Sequence, residues 1–312
     1  MTFRHLTFAL PLGCLLVLAL SAGAQTTILD MRENVYGANI GWINARADNQ
    51  PASGLRISEH VCSGYIYSAN VGWINLGNGA PADNIAYRND SASDYGVNNV
   101  GDGRLDGFAY GANIGWVKFD KNAPYSRPRY DLLTGKLSGY AYGANVGWIN
   151  LGEDSINVDA TVETVAKAPD TDGDGIADFW ELQKSGLTVA TGGLNIYTST
   201  SDTDGDGQRD VNEYLANTDP NTKDSVLQIK AFTPQAAYSS VNLLFTTTPA
   251  IAATRVYRIM TNTDLGAFTQ LGSIFLGDTV DNDTLVNVPV SLSSEPKRFW
   301  KVEALRPLVT IP

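Results

Sequence analysis

The stretch SGYAYGANVGWINLG, residues 138–152, returns in altered form three more times in the first half of the chain. The other copies are ENVYGANIGWINA around Trp42, SGYIYSANVGWINLG around Trp73 and DGFAYGANIGWVKFD around Trp116. Successive Trp residues are 31, 43 and 32 positions apart, a repeat-protein period with one insertion. In the last copy Leu137, Gly139 and Ala141 alternate with Ser138, Tyr140 and Tyr142, the two-residue period of a strand. Gly143-Ala144-Asn145-Val146-Gly147 supplies residues that accept positive φ and predicts a hairpin turn, with Trp148–Leu151 returning as the next strand. Thr134-Gly135 predicts a further turn upstream, so each full unit is expected to be a three-stranded meander. The first copy lacks most of the leading strand, as a capping unit would. Residues 25–152 are therefore expected to form a four-copy Tyr/Trp β-repeat domain in a mainly β chain.

Two readings of the recurring aromatics stand. One hairpin alone buries too little surface to be stable. A Trp and a Tyr per unit, stacked on the next unit, would bury roughly 150–250 Å² per ring. At about 25 cal/mol/Å² that is several kcal/mol per repeat before chain entropy is subtracted. Structural stacking is the preferred reading; the alternative is a sugar-binding platform with polysaccharide as the partner. The unit GYAYGANVGWINL resembles a tandem repeat of large exported bacterial proteins, often written GYAWGENIGWI. That resemblance covers about residues 33–152, implies an extracellular, modular build and assigns no activity.

A second repeat follows. Residues 170–181 read DTDGDGIADFWE and residues 202–213 read DTDGDGQRDVNE. Carboxylates occupy positions 1, 3, 5 and 9 (Asp170, Asp172, Asp174, Asp178; Asp202, Asp204, Asp206, Asp210), glycine position 6 and glutamate position 12 (Glu181, Glu213). This is the oxygen-ligand spacing of a calcium loop, in which position 7 (Ile176, Gln208) offers only its backbone carbonyl, so its side chain is expected to matter little. Two carboxylates 4 Å apart repel by about 4 kcal/mol at an effective dielectric of 20, so five converging on one point require a cation. About two Ca2+ ions are expected; magnesium prefers fewer protein oxygens. Each loop runs into a short predicted helix, 178–184 and 211–216, with no helix before it.

The second copy with its tail, DTDGDGQRDVNEYLANTDP, resembles the bacterial thrombospondin type 3-like calcium repeat, and dockerin-like loops share the same half-hand layout. The resemblance implies ligands at Asp170, Asp172, Asp174, Asp178 and Glu181 and at the five matching positions of the second loop. It also assigns Asp219, in Thr218-Asp219-Pro220, a share in a neighbouring ion. The intervening KSGLTVATGGLNIYTSTS has no such tail, so the two sites are expected to be independent.

The first 24 residues have a basic start at Arg4, an apolar run and Ala22-Gly23-Ala24, and predict a secretory signal peptide too short to span a bilayer. Cys14 hints at lipid attachment, but cleavage there would leave LLVLAL on the mature end, so that reading is rejected. Export to the cell surface, the medium or the periplasm is expected, and no later transmembrane helix. Cys62 is then the single mature cysteine, which excludes an internal disulfide and makes metal the expected staple. His60 and Cys62 are two ligands at most and do not make a metal site. The 312 residues carry 33 acidic and 22 basic side chains, a net charge of −11. Residues 170–224 hold 12 of the acidic and 3 of the basic ones, so the charge belongs to the loops and implies no nucleic-acid partner.

Residues 153–169 contain no aromatic residue and end in Ala-Pro, predicting a linker. Residues 225–312 alternate strand and turn; Val241, Leu243 and Phe245 share one face, and six strands predict a small antiparallel β-sandwich. The ending RFWKVEAL resembles the last strand of fibronectin type III-like accessory modules of exported bacterial proteins, which implies a spacer, adhesion unit or secretion handle. No Leu-Pro-x-Thr-Gly string or lipid-anchor signal is present.

Catalysis finds little to work with. His60 is the single mature histidine, and neither Gly-x-Ser-x-Gly nor His-Glu-x-x-His occurs. The expectation is an exported, non-enzymatic, calcium-binding modular protein with a structural or adhesive role, in contact with another surface protein or a polysaccharide. A carbohydrate-binding protein, or an accessory part of a polysaccharide-acting system, is the alternative.

Overall fold

The computed structural model describes residues 25–48, 50–152, 157–235, 240–248, 253–264, 266–289 and 298–309. The expected signal peptide and Cys14 lie outside them. The described residues are mainly β, with two α-helices.

Each Tyr/Trp copy forms one hairpin. These are β1 (Asn34–Gly37) with β2 (Gly41–Asn44), β4 (Cys62–Ser68) with β5 (Gly72–Asn78), β7 (Leu105–Gly111) with β8 (Gly115–Phe119), and β11 (Tyr140–Gly143) with β12 (Gly147–Asn150). The hairpins do not stack in a row. They pair edge to edge in the order β2-β1-β12-β11-β8-β7-β5-β4, and β4 pairs back onto β2, closing an eight-stranded antiparallel barrel. Closure removes every edge that one hairpin would leave unpaired.

The register explains why four copies close. Within each hairpin Tyr faces Trp: Tyr36–Trp42, Tyr67–Trp73, Tyr110–Trp116 and Tyr142–Trp148. Between hairpins the same Tyr faces the residue two past the neighbouring Trp: Tyr36–Asn150, Tyr142–Lys118, Tyr110–Asn75 and Tyr67–Asn44. Four identical offsets of two residues give a stagger of eight over eight strands, and a barrel of that size is filled by its own side chains. The filling comes from Val35, Ile43, Ile66, Ile74, Ala109, Val117, Ala141 and Ile149. The Trp and Tyr rings, expected to be buried by stacking between units, lie outside instead. Period 2 sends the aliphatic positions inward and the aromatic ones outward.

The turns supply a second closure. In copy order the side-chain amides of Asn39, Asn70, Asn113 and Asn145 donate to the carbonyls of Val146, Ile40, Val71 and Ile114, each in the adjoining turn, at 3.0–3.1 Å. The bonds run once round the barrel end and return to their start. The glycine before each Trp (Gly41, Gly72, Gly115, Gly147) has φ between +74° and +82°, where a side chain is strained.

Short leading strands β3 (Arg56–Ile57), β6 (Val97–Asn99) and β9 (Arg129–Tyr130) pair with β4, β7 and β10 (Leu137–Ser138). The expected linker is a strap over its described part. Ala160 and Thr161 accept from the amides of Leu137 and Leu29, and Val162 and Ala166 donate to Gly135 and Ile57. Ala160 and Val162 are buried in the barrel core, an alternation that the lack of aromatics had masked.

The acidic segment carries α1 (Asp178–Ser185) and α2 (Asp210–Ala216), each ended by a left-handed residue, Gly186 and Asn217. Beyond them lie two three-stranded sheets. One contains β13 (Ile229–Pro234), β14 (Ser240–Thr246) and β17 (Asp283–Pro289); the other contains β15 (Val256–Asn262), β16 (Thr269–Phe275) and β18 (Phe299–Leu305). Val241, Leu243, Phe245 and Val288 of the first meet Tyr257 and Ile259 of the second in one cluster. Ala253 and Val256 join the barrel core instead, and Ile274, Leu276, Leu305 and Leu308 pack against it. Among the described residues no helix is long and apolar enough to cross a membrane.

Candidate metal centres

Both acidic loops fold on the same internal bonds. Asp170 accepts from the amides of Gly173 at 2.8 Å and Gly175 at 3.1 Å, and Asp202 from Gly205 and Gly207 at 2.8 and 3.0 Å. Asp174 and Asp206 each accept from the amide two residues on, Ile176 and Gln208. Gly175 and Gly207 sit at φ +96° and +97°, the turn that brings position 6 round. One oxygen from each of Asp170, Asp172 and Asp174 lies within 4.8 Å of the others, and Asp202, Asp204 and Asp206 repeat the arrangement.

Glu181 and Glu213, in the first turns of α1 and α2, are fully buried beside these clusters. Both carboxylate oxygens of Glu181, Oε2 of Glu213 and one oxygen each of Asp174, Asp204 and Asp206 are buried without a hydrogen-bond donor. Burial, followed by the charges of Asp172 and Asp174, pushes Glu181 up to about 8; burial, followed by Asp204 and Asp206, does the same to Glu213. Asp174 is also raised, mainly by burial. A buried carboxylate is ordinarily paired, because an unmet buried charge costs several kcal/mol. Here positions 1, 3 and 5 converge, position 12 is buried beside them and several of their oxygens meet no protein donor; an all-oxygen set of this kind suits a hard cation.

Position 9 does something else. Asp178 turns to the loop's own Thr171, accepting from its amide at 2.7 Å and its hydroxyl at 2.5 Å. Asp210 accepts from Thr203 at 2.9 and 2.8 Å and from the Ser201 hydroxyl at 2.6 Å. Both aspartates are buried and tie each loop to itself; the close clusters hold positions 1, 3 and 5, with positions 9 and 12 beyond them. The Thr at position 2 of both copies was the available signal. Position 7 departs from expectation, since its side chain is used. Ile176 is fully buried with Trp180, Tyr197 and Tyr214, and Gln208 bonds Thr218 and the amide of Leu227. Asp219, expected near a neighbouring ion, lies 3.6 Å from Lys184 and ties the tail of α2 to α1.

The second loop also sits at the meeting point of three regions. The Tyr214 hydroxyl donates to Glu59 of the barrel region at 2.5 Å, and Arg306 pairs with the same carboxylate. Arg255, buried, donates to the carbonyls of Tyr214 and Leu215, both at 2.7 Å. His60 stacks flat on Phe179 of α1 at 4.9 Å, and burial lowers it to about 4. Cys62 is a buried thiol in the barrel core. A cleft of about 770 Å³ opens here and includes Glu59, His60, Lys184, Asp219, Arg255 and Arg306 in its lining; Lys184 pairs with Asp219 and Arg306 with Glu59.

On the barrel exterior Trp42, Trp73, Trp116 and Trp148 are 49%, 40%, 45% and 58% exposed. Each packs on the Tyr opposite it at 4.8–5.0 Å between ring centres. In comparisons with protein-family models, curated proteins and solved structures, nothing matches this chain.

Proposed function

We propose that this is an exported calcium-binding modular protein, structural or adhesive rather than enzymatic, acting at or outside the cell surface. In this reading two ions staple the acidic loops between a β-repeat barrel and a small C-terminal β-sandwich of fibronectin type III-like build. The observation that carries the proposal is the pair of fully buried glutamates beside the aspartate clusters, Glu181 with no donor on either oxygen and Glu213 with none on Oε2. The likeness of both loops to thrombospondin type 3-like half-hands supports it further.

Bound calcium would supply a compact divalent charge with room for six to eight oxygens. The chain's own residues prepare the place. Asp170 holds the loop backbone through two amides and Asp202 through three, while Asp178 and Asp210 fix its entry through Thr171 and Thr203. Glu181 and Glu213 would close each cage from a helix that also belongs to the joint. Without entering helices, neither loop has a helix pair to open, so the loops are read as staples and not sensors. Extracellular calcium is abundant, and affinities of about 10⁻⁴ to 10⁻³ M suffice there.

Calorimetric titration of the mature chain with calcium tests this. Two sites are expected, with Glu181→Gln and Glu213→Gln each removing one, and magnesium binding more weakly. A titration without calcium-specific heat, together with a melt unmoved by calcium, would refute the proposal.

A further inference from the structure

The four hairpins share one fold but not one surroundings. Copy 1 has Asn34 two residues before its Tyr, so Trp42 meets only Tyr36. The other copies place a third aromatic at that position: Tyr65, Phe108 and Tyr140, with ring centres 6.0–6.3 Å from Trp73, Trp116 and Trp148. Copies 3 and 4 add a loop wall. At copy 3 Tyr95 stands edge-on to Trp116 at 4.9 Å and takes up part of the ring. At copy 4 the wall is Ala123–Ser126, which leaves Trp148 the most exposed of the four Trp residues. Between Trp148, Tyr140 and that wall is a cleft of about 440 Å³, and Tyr125 at its rim is 96% exposed.

We infer that the Trp148 cleft is a binding site for a neutral saccharide of pyranose rings. A pocket of a few hundred Å³ with aromatic walls and a few hydroxyls at its edge is the usual form of a small-ligand site. Here the floor is Trp148, the walls are Tyr140 and Tyr125, and Ser126 and the phenol groups bring hydroxyls to the rim. The lining holds no charged residue, in a chain of net charge −11. An anionic polymer therefore finds no cation in the cleft, and a cationic peptide finds no carboxylate. A ring with an apolar C–H face and hydroxyls at its edges matches both features, the flat aromatic and the polar rim. The barrel core explains the inward aliphatic residues and the turn bonds explain Asn and Gly. Neither explains a loop that walls off the most exposed Trp and presents Tyr125 to solvent.

The hairpin repeat provides its own control, because Trp42 occupies the same register position as Trp148, has Asn34 where Tyr140 stands and lies outside the lining of the cleft. Affinity electrophoresis of the calcium-loaded mature chain would use gels containing a soluble β-glucan, a galactomannan, a xylan or, as the anionic case, polygalacturonate. At least one neutral polymer is expected to retard the protein. Trp148→Ala and Tyr125→Ala should each weaken that retention roughly tenfold or more, whereas Trp42→Ala should stay within about twofold. Tyr125 is a rim residue, so its variant answers the question even if Trp148→Ala fails to fold. Passage through every neutral gel unretarded, retention by polygalacturonate alone, or equal losses for Trp42→Ala and Trp148→Ala overturn the inference. It does not rest on the metal proposal: calcium uptake should be the same in all three variants.

Discussion

The barrel and the acidic loops are both built by internal repetition, and they differ in what repetition leaves unfinished. Each hairpin meets its neighbour with complementary groups, an Asn amide to a carbonyl and aliphatic side chains to a common core. Four copies close on themselves and need nothing more. Each loop brings like charges together and buries a glutamate beside them with at least one oxygen lacking a donor. The polar bonds it makes serve to position carboxylates that still repel. One repeat is complete as protein; in the proposed reading the other is completed by a cation.

Removing calcium should separate the two most sharply. At a hundredfold excess over the dissociation constant each site adds about 2.7 kcal/mol, so excess chelator is expected to cost about 5 kcal/mol. The loss should appear as a lower melting midpoint and as protease cutting within residues 168–224, while the barrel stays resistant. The cost also depends on pH with a definite sign. In the ion-free protein Glu181 and Glu213 titrate at about 8, above the ordinary 4.5, so the folded state holds more protons between those values. The glutamates' contribution to ion-free stability is therefore full below pH 4.5 and is lost as pH rises through 8. Calcium-loaded protein should show the opposite slope over the same range, since binding needs the carboxylates ionised. Glu213→Gln sharpens this further: it should raise the ion-free midpoint at pH 8 while lowering the calcium-loaded one. An ion-free melt independent of pH between 5 and 8 would show that the buried glutamates do not carry the difference.

A smaller effect belongs to the seam between the regions. His60 of the barrel region lies flat on Phe179 of α1 and is held down at about 4 by burial. Its folded value is depressed, so the unfolded chain takes up the proton first and stability falls as pH drops from 6.5 to 4. The shift corresponds to about 3 kcal/mol at the bottom of that window. Comparing ion-free denaturation profiles of the wild type and His60→Phe should show the two converging above pH 7 and separating below 6. Parallel profiles across the range would mean that the ring is solvated enough to charge in place.

The contrast also governs how much could be read from the sequence. Alternation around Tyr140 and Ala141 shows strands, and the glycines and Asn145 show a turn, because those signals are local. Ring closure is not local. It depends on Tyr67 meeting Asn44 across 23 positions and on the strap of Ala160 and Val162, whose short alternation resembles a linker. For the loops, spacing located Asp170, Asp172, Asp174 and Glu181. It could not show that Asp178 turns toward Thr171, because a carboxylate at position 9 suits both ligand and staple. The wall beside Trp148 was hidden because Tyr125 belongs to no repeat.

Smallest of all should be the effects at the Asn ring, and there the four copies are not equal. Gly147→Ala forces a side chain into φ +75° and to 3.2 Å from the Asn39 amide, which costs about 1–2 kcal/mol. Replacing one ring Asn by Ala removes a single hydrogen bond at the exposed end of the barrel, about 0.5–1 kcal/mol. At three copies nothing replaces it. At the second, Ser68 stands where the other hairpins have glycine, and its hydroxyl donates to the same Ile40 carbonyl at 3.2 Å that Asn70 reaches at 3.0 Å. Asn70→Ala should therefore cost less than Asn39→Ala, Asn113→Ala or Asn145→Ala in chemical denaturation, and Ser68→Gly should restore the full loss to it. If Asn70→Ala proves as costly as the rest with Ser68 in place, the Ile40 carbonyl is not the group that matters, and the barrel is held by its aliphatic core without help from the ring.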